Sequence, residues 1–115
     1  MSRDSRVYLE DILEAIRKIR KYVGLATKEK FFADEKTLDA VLRNLEIIGE
    51  AVKHIPDATR KSFPGIEWKK IAGLRDILGH EYFSINHDII WDILETKLDP
   101  LESEVKVMTK GKKKA

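Results

Sequence analysis

The chain has no cysteine among its 115 residues. That excludes disulfide staples, thiolate nucleophiles and cysteine metal sites, and it favours a reducing compartment over secretion. Only three prolines and six glycines interrupt the chain, and aromatics make up 8%. Apolar runs are short. None approaches the roughly 20 residues that span a bilayer, and the opening Met1-Ser2-Arg3-Asp4-Ser5 has no apolar signal stretch, so a cytoplasmic protein without membrane contact is expected.

There is also little net charge. The formal +2 arises in the last six residues, where Lys110, Lys112, Lys113 and Lys114 meet no acid. Of the 22 basic side chains, 18 remain when those four are set aside, against 20 acidic ones, so the body is slightly acidic. Bulk charge therefore does not mark a nucleic-acid binder, no DNA contact is expected, and any RNA contact must come from a local patch. The length and the contrast in composition predict one domain over residues 1–109 and a basic tail over 110–115.

What is present is helical periodicity. Leu9, Ile12, Leu13, Ile16, Ile19 and Val23 recur at intervals of three and four, which predicts a first helix over residues 6–23 with Gly24 as its stop. Leu38, Val41, Leu42, Leu45, Ile48 and Val52 form the buried stripe of a second helix over 34–54. Residues 55–65 read as a connection with at most one short turn. A third helix is expected over 67–79, with Trp68 as a core anchor, and a fourth from an Asn86 N-cap through Lys97. Asp99-Pro100-Leu101-Glu102 has the pattern of a helix restarting with Asp99 at the N-cap. Gly49 and Gly73 read as points of close helix approach. The fold class is all-α: an antiparallel, up-and-down bundle of four to five helices.

One stretch carries chemistry, Arg75-Asp76-Ile77-Leu78-Gly79-His80-Glu81-Tyr82. On a helix, Arg75 and Tyr82 share a face, as do Asp76 and His80. Gly79 stands where the helix could end and let His80 and Tyr82 swing toward a common point. These groups suit phosphodiester chemistry without a metal. A neutral His80 can take the proton of a ribose 2′-hydroxyl, Arg75 can offset charge on the phosphate, and Asp76 can orient the imidazole. A single imidazole cannot easily be base and acid on opposite sides of phosphorus, so a two-fold dimer supplying a second His80 is expected. His80-Glu81 does not extend into a zinc motif, because Ser84 stands where the second histidine would be. No cofactor and no metal site is expected. Arg60, Lys61, Lys69 and Lys70 are candidates for tracking an RNA backbone, with solvated surface as the alternative.

The spacing Arg-x4-His-x-Tyr, here Arg75, His80 and Tyr82, resembles the signature of the HepT-like HEPN proteins. The resemblance continues through Arg43-Asn44-Leu45-Glu46-Ile47-Ile48-Gly49-Glu50-Ala51 and through Trp68 to Arg75, and it spans roughly residues 5–108. It implies a HEPN-like helical bundle that dimerises to form a metal-independent endoribonuclease cleft, with Arg75 and His80 catalytic. It further implies a toxin paired with a nucleotidyltransferase antitoxin that transfers AMP to Tyr82 and so silences RNA cleavage. Asp76 fits as a supporting polar residue, and Asn44 and Glu50 as possible support from the second helix. An alternative is a non-catalytic partner or substrate-binding subunit of a minimal nucleotidyltransferase.

Overall fold

The computed structural model describes residues 3–81 and 87–110, with the backbone alone for residues 3, 4 and 75–81. Among the described residues, seven α-helices follow in order: α1 (Arg3–Val23), α2 (Lys28–Ala33), α3 (Glu35–Lys53), α4 (Asp57–Lys61), α5 (Trp68–Glu81), α6 (His87–Asp92) and α7 (Leu98–Thr109). A π-helical stretch, Ile93–Lys97, joins α6 to α7, so residues 87–109 form one continuous helical rod. No strand occurs among the described residues.

The long helices form for the reasons their spacing gave. Leu9, Ile12, Ile16 and Ile19 of α1 are fully enclosed, as are Val41, Leu45, Ile48 and Val52 of α3 and Leu101, Val105 and Met108 of α7. Branched aliphatics at three- and four-residue intervals leave each helix one apolar stripe, and burying these stripes against one another is what holds the bundle. α1 runs antiparallel to α3, since Tyr8 near its start stacks on His54 at the end of α3 with ring centroids 4.2 Å apart. It also runs antiparallel to α7. Arg6 Nη1 donates to the Thr109 carbonyl at 2.9 Å, and at the other end Arg20 Nη2 donates to Asp99 at 2.6 Å.

The helix ends follow local chemistry. Gly24 closes α1 with a φ of 54°, its amide donating to the Arg20 carbonyl at 2.9 Å. A left-handed residue is the usual way to end a helix, and glycine adopts it without a Cβ clash. Asp34 caps α3: its carboxylate accepts from the Thr37 amide at 3.2 Å and from the Thr37 hydroxyl at 2.8 Å. Those bonds hold the Asp34 carboxyl below the usual carboxylate range, the hydroxyl contributing most.

Three sequence expectations are corrected, and one helix is added. α5 does not stop at Gly79 but runs through His80 to Glu81; a glycine within a helix weakens it by only about 1 kcal/mol and does not terminate it unaided. Asp99 is not an N-cap. It lies inside α7, after Leu98, and its carboxylate serves Arg20 instead. The rod stays helical through Pro100, and the π-helical stretch Ile93–Lys97, whose wider turn departs from the regular α-helical bonding, lies directly before α7. Gly73 is not a contact point among the described residues, since a Cβ built there meets none of their atoms within 4 Å. Finally, α2 fills a connection the periodicity left blank. It begins at Thr27, whose hydroxyl accepts from the Lys30 amide at 3.3 Å, and it sends Phe31 into the core.

Candidate functional site

The placement of the motif begins with Trp68. Its indole is 7% exposed and donates from Nε1 to the Phe63 carbonyl at 3.0 Å. A buried indole must find an acceptor, and this bond ties the first residue of α5 to the connection before it. From that anchor α5 packs along α3 and carries Arg75, Asp76 and His80 on one unbroken helical backbone. Asp76 and His80, one helical turn apart, therefore occupy positions on the same face. The side chains of Arg75, Asp76 and His80, and all of Tyr82, lie outside the described residues, and so does their convergence on a shared cleft.

Beside α5 lies a groove of about 560 Å³ between its first turns and the rod that begins at α6. Ile66, Ile71, Leu74, Ile89 and Ile93 line it. Leu74, one of the residues that line it from α5, directly precedes Arg75 in the sequence. Lys97 Nζ reaches Glu67 across it at 3.5 Å, and Lys70 holds the same carboxylate at 3.0 Å. The Glu67 carboxyl is lowered accordingly, chiefly by the Lys70 hydrogen bond and then by the charges of Lys70 and Lys97.

Asn44 and Glu50 take different situations. Asn44 is 6% exposed, and its Nδ2 donates to the Ala40 carbonyl one turn back at 2.9 Å, so it does not sit on a solvated face. Glu50 is exposed and meets the ring of His54 at 3.3 Å, with His54 in turn stacked on Tyr8. A shallow cleft of about 230 Å³ opens beside this group, lined by Tyr8, Asp11, Arg43 and Glu46 among others. The structure does not bring Asn44 and Glu50 together, in line with their offset of about 120° around α3.

Three of the four basic residues weighed for RNA contact are engaged locally. Arg60 and Lys61 approach Asp57 at 3.8 and 3.3 Å, and Lys70 is held by Glu67. Such exposed pairs are individually weak, and they lower the positive potential those residues offer a phosphate. Among the described residues no group of three or more acidic, histidine or cysteine side chains is placed to hold a metal. No helix among them is long and apolar enough to cross a membrane.

Sequence reasoning missed the contacts around α2. Phe32 stacks on His87 with centroids 3.9 Å apart and planes 9° from parallel, and Lys28 pairs with Asp88. Phe31 and Phe32 also flank Trp91, at 5.6 and 6.2 Å. The only local signal was the Thr27 cap before a Lys-Glu-Lys-Phe-Phe run, and nothing in it named the distant partners.

Comparison with known proteins adds the last observation. The family described as ribonuclease HepT-like matches residues 12–108, which include both α5 and the whole Arg75–Tyr82 stretch. A protein of Methanocaldococcus jannaschii carried under the name "Putative RNase" is 46% identical over 96 residues, covering 84% of this chain and 79% of its own. One of Caldanaerobacter subterraneus with the same style of name is 41% identical, covering 94% and 96%. The "Probable ribonuclease HepT" of Thermococcus cleftensis is 38% identical over 96% of this chain and 100% of its own length. No solved structure matches at a significant level. A match over most of the chain, on an all-α bundle whose fifth helix carries the Arg-x4-His spacing, places this chain in the HepT-like ribonuclease family of HEPN proteins.

Proposed function

We propose that the chain is a metal-independent endoribonuclease that acts as a homodimer and serves as the toxin of a toxin–antitoxin pair. The observation that carries this reading is the complete set Arg75, His80 and Tyr82 inside the segment matched to a ribonuclease family, with Arg75 and His80 on one continuous helix. Relatives named as ribonucleases across most of their length support the same class.

The chemistry assigns each group a task. His80 accepts the proton of a ribose 2′-hydroxyl as the 2′-oxygen attacks phosphorus. The bond from phosphorus to the 5′-oxygen breaks, and His80 of the partner subunit returns a proton to that leaving oxygen. The products are a 2′,3′-cyclic phosphate and a 5′-hydroxyl, so no water is consumed. Arg75 holds the non-bridging oxygens while negative charge builds on them, its planar guanidinium matching two oxygens at once. Asp76, one turn before His80, fixes the imidazole tautomer.

Tyr82 is the switch. A nucleotidyltransferase partner passes AMP from ATP to the phenol: the phenolic oxygen attacks the α-phosphorus, pyrophosphate leaves, and the phenol proton goes to solvent or base. The added phosphodiester places a negative charge and a nucleoside beside Arg75 and His80, where the RNA phosphate would otherwise sit.

The test is cleavage of a single-stranded RNA in excess chelator by the wild-type protein, Arg75→Ala and His80→Ala. The wild type is expected to yield cyclic-phosphate ends and each variant to lose at least about a hundredfold in rate. Equal activity in all three overturns the assignment.

A further inference from the structure

Two apolar stripes border the groove beside α5. Ile71 and Leu74 stand three apart on α5, and Ile89 and Ile93 four apart on the rod. These spacings put each pair on one helix face. Ile71, Leu74 and Ile93 pack only part of their surface against the core, and Ile89 stands 59% exposed. A single apolar residue on a surface needs no account. An apolar patch with a polar rim is the usual form of a contact site.

The rim is charged, and its two ends differ in sign. The rod presents Asp88 and Asp92 along the first part of the groove and Lys97 further on. Glu67 holds both Lys97 and Lys70, at 3.5 and 3.0 Å, so that end gathers two lysines and one acid. At the other end Lys28 pairs with Asp88, and Asp92 adds a second acid. One end is therefore formally positive and the other formally negative. A two-fold contact brings a surface against a copy of itself, turned end for end. Turned that way, the lysine end of this groove lies on the acid end of its mate, twice over, while the apolar walls meet between them. A nucleic-acid strand is a poorer fit, because half of the rim is acidic and no aromatic ring stands among the described lining residues to stack a base.

We infer that the groove between α5 and the rod, with Ile89 as its projecting apolar residue, is the face on which a second copy of this chain docks. The inference rests on the homodimeric ribonuclease reading above and gives that dimer a surface. The motif-bearing helix of each copy then borders the interface, since α5 supplies one wall of the groove.

The experiment measures the dissociation constant of the full-length chain by sedimentation, with helical content by circular dichroism as the check on folding. It compares the wild type with Ile89→Asp, Asp92→Lys, the double reversal Asp92→Lys with Lys97→Asp, and the control Val7→Asp, at an exposed apolar residue of α1. The wild type is expected to dimerise, and Ile89→Asp to raise the dissociation constant at least thirtyfold or so, roughly what the loss of a central interface residue costs. Asp92→Lys sets lysine against lysine in both symmetric contacts and should weaken the dimer by about tenfold. The double reversal restores opposite signs and should regain most of that loss, while Val7→Asp should dimerise as the wild type does. A wild type that stays monomeric at every concentration overturns the docking face. So does a dimer indifferent to Ile89→Asp, or a double reversal no tighter than Asp92→Lys. RNA cleavage is read separately on the same samples. A dimer that depends on the groove but cleaves no RNA upholds the docking face and overturns the ribonuclease reading.

Discussion

Trp68 donates its indole N–H to the Phe63 carbonyl at 3.0 Å, and this bond fixes where the motif-bearing helix begins. Trp68→Phe keeps most of the buried ring but leaves the Phe63 carbonyl without this donor. A loss of about 1–2 kcal/mol is expected. Trp68→Ala removes the ring as well and should cost roughly 3–5 kcal/mol. Urea unfolding of the two variants checks the order. Equal losses would mean that the ring contributes nothing beyond its hydrogen bond.

Two glycines should respond to alanine with opposite signs. Gly24 has a φ of 54°, a conformation that disfavours a Cβ, so Gly24→Ala should destabilise by about 1 kcal/mol. Gly73 is helical, with no atom of the described residues within 4 Å of where a Cβ would stand, so Gly73→Ala should stabilise by about 0.5–1 kcal/mol. Denaturant midpoints measured side by side decide both. A destabilised Gly73→Ala would restore the close-packing role that the sequence suggested.

The Asp34 cap predicts a pH dependence of definite sign. Its folded carboxyl titrates below the unfolded value, mainly because the Thr37 hydroxyl and amide bind the charged form. The stabilisation is therefore fully present above the unfolded carboxylate pKa and disappears as pH falls through the lower, folded value. At neutral pH, Asp34→Ala should melt roughly 4 °C below wild type. The gap should close deep in the acid range. A gap that widens on acidification would assign the cap a different role.

Legibility in the sequence followed the range of the interaction. The stripes of α1 and α3 were readable because each helix repeats its apolar spacing several times, and the Asp34 and His54 boundaries of α3 follow from local capping. The Asp99-Pro100-Leu101-Glu102 pattern misled because it contains every element of a cap, while the residue that claims Asp99 is Arg20, on another helix. α2 was missed because six residues are too few to establish a period. The motif itself was legible as a spacing and through a family resemblance. The ring of Phe32 against His87 had no local signature, since its halves meet only when the bundle closes.

Tyr82 should separate cleavage from silencing. Tyr82→Phe keeps the ring and removes the oxygen that would accept AMP. Labelling from radioactive ATP by the proposed nucleotidyltransferase partner should vanish, while RNA cleavage by the free protein should fall by less than about tenfold. Undiminished labelling of Tyr82→Phe would move the acceptor to another residue.

The bond from Arg6 to the Thr109 carbonyl brings the beginning of the first long helix and the end of the last to the same pole of the bundle. A short tether from one to the other would close the polypeptide into a ring, and Leu25, fully exposed beside Gly24, offers a place to open it again. A circularly permuted protein of that kind would keep α3, α5 and the groove intact. By the same adjacency, a domain appended at either terminus hangs from one pole and leaves the opposite pole clear.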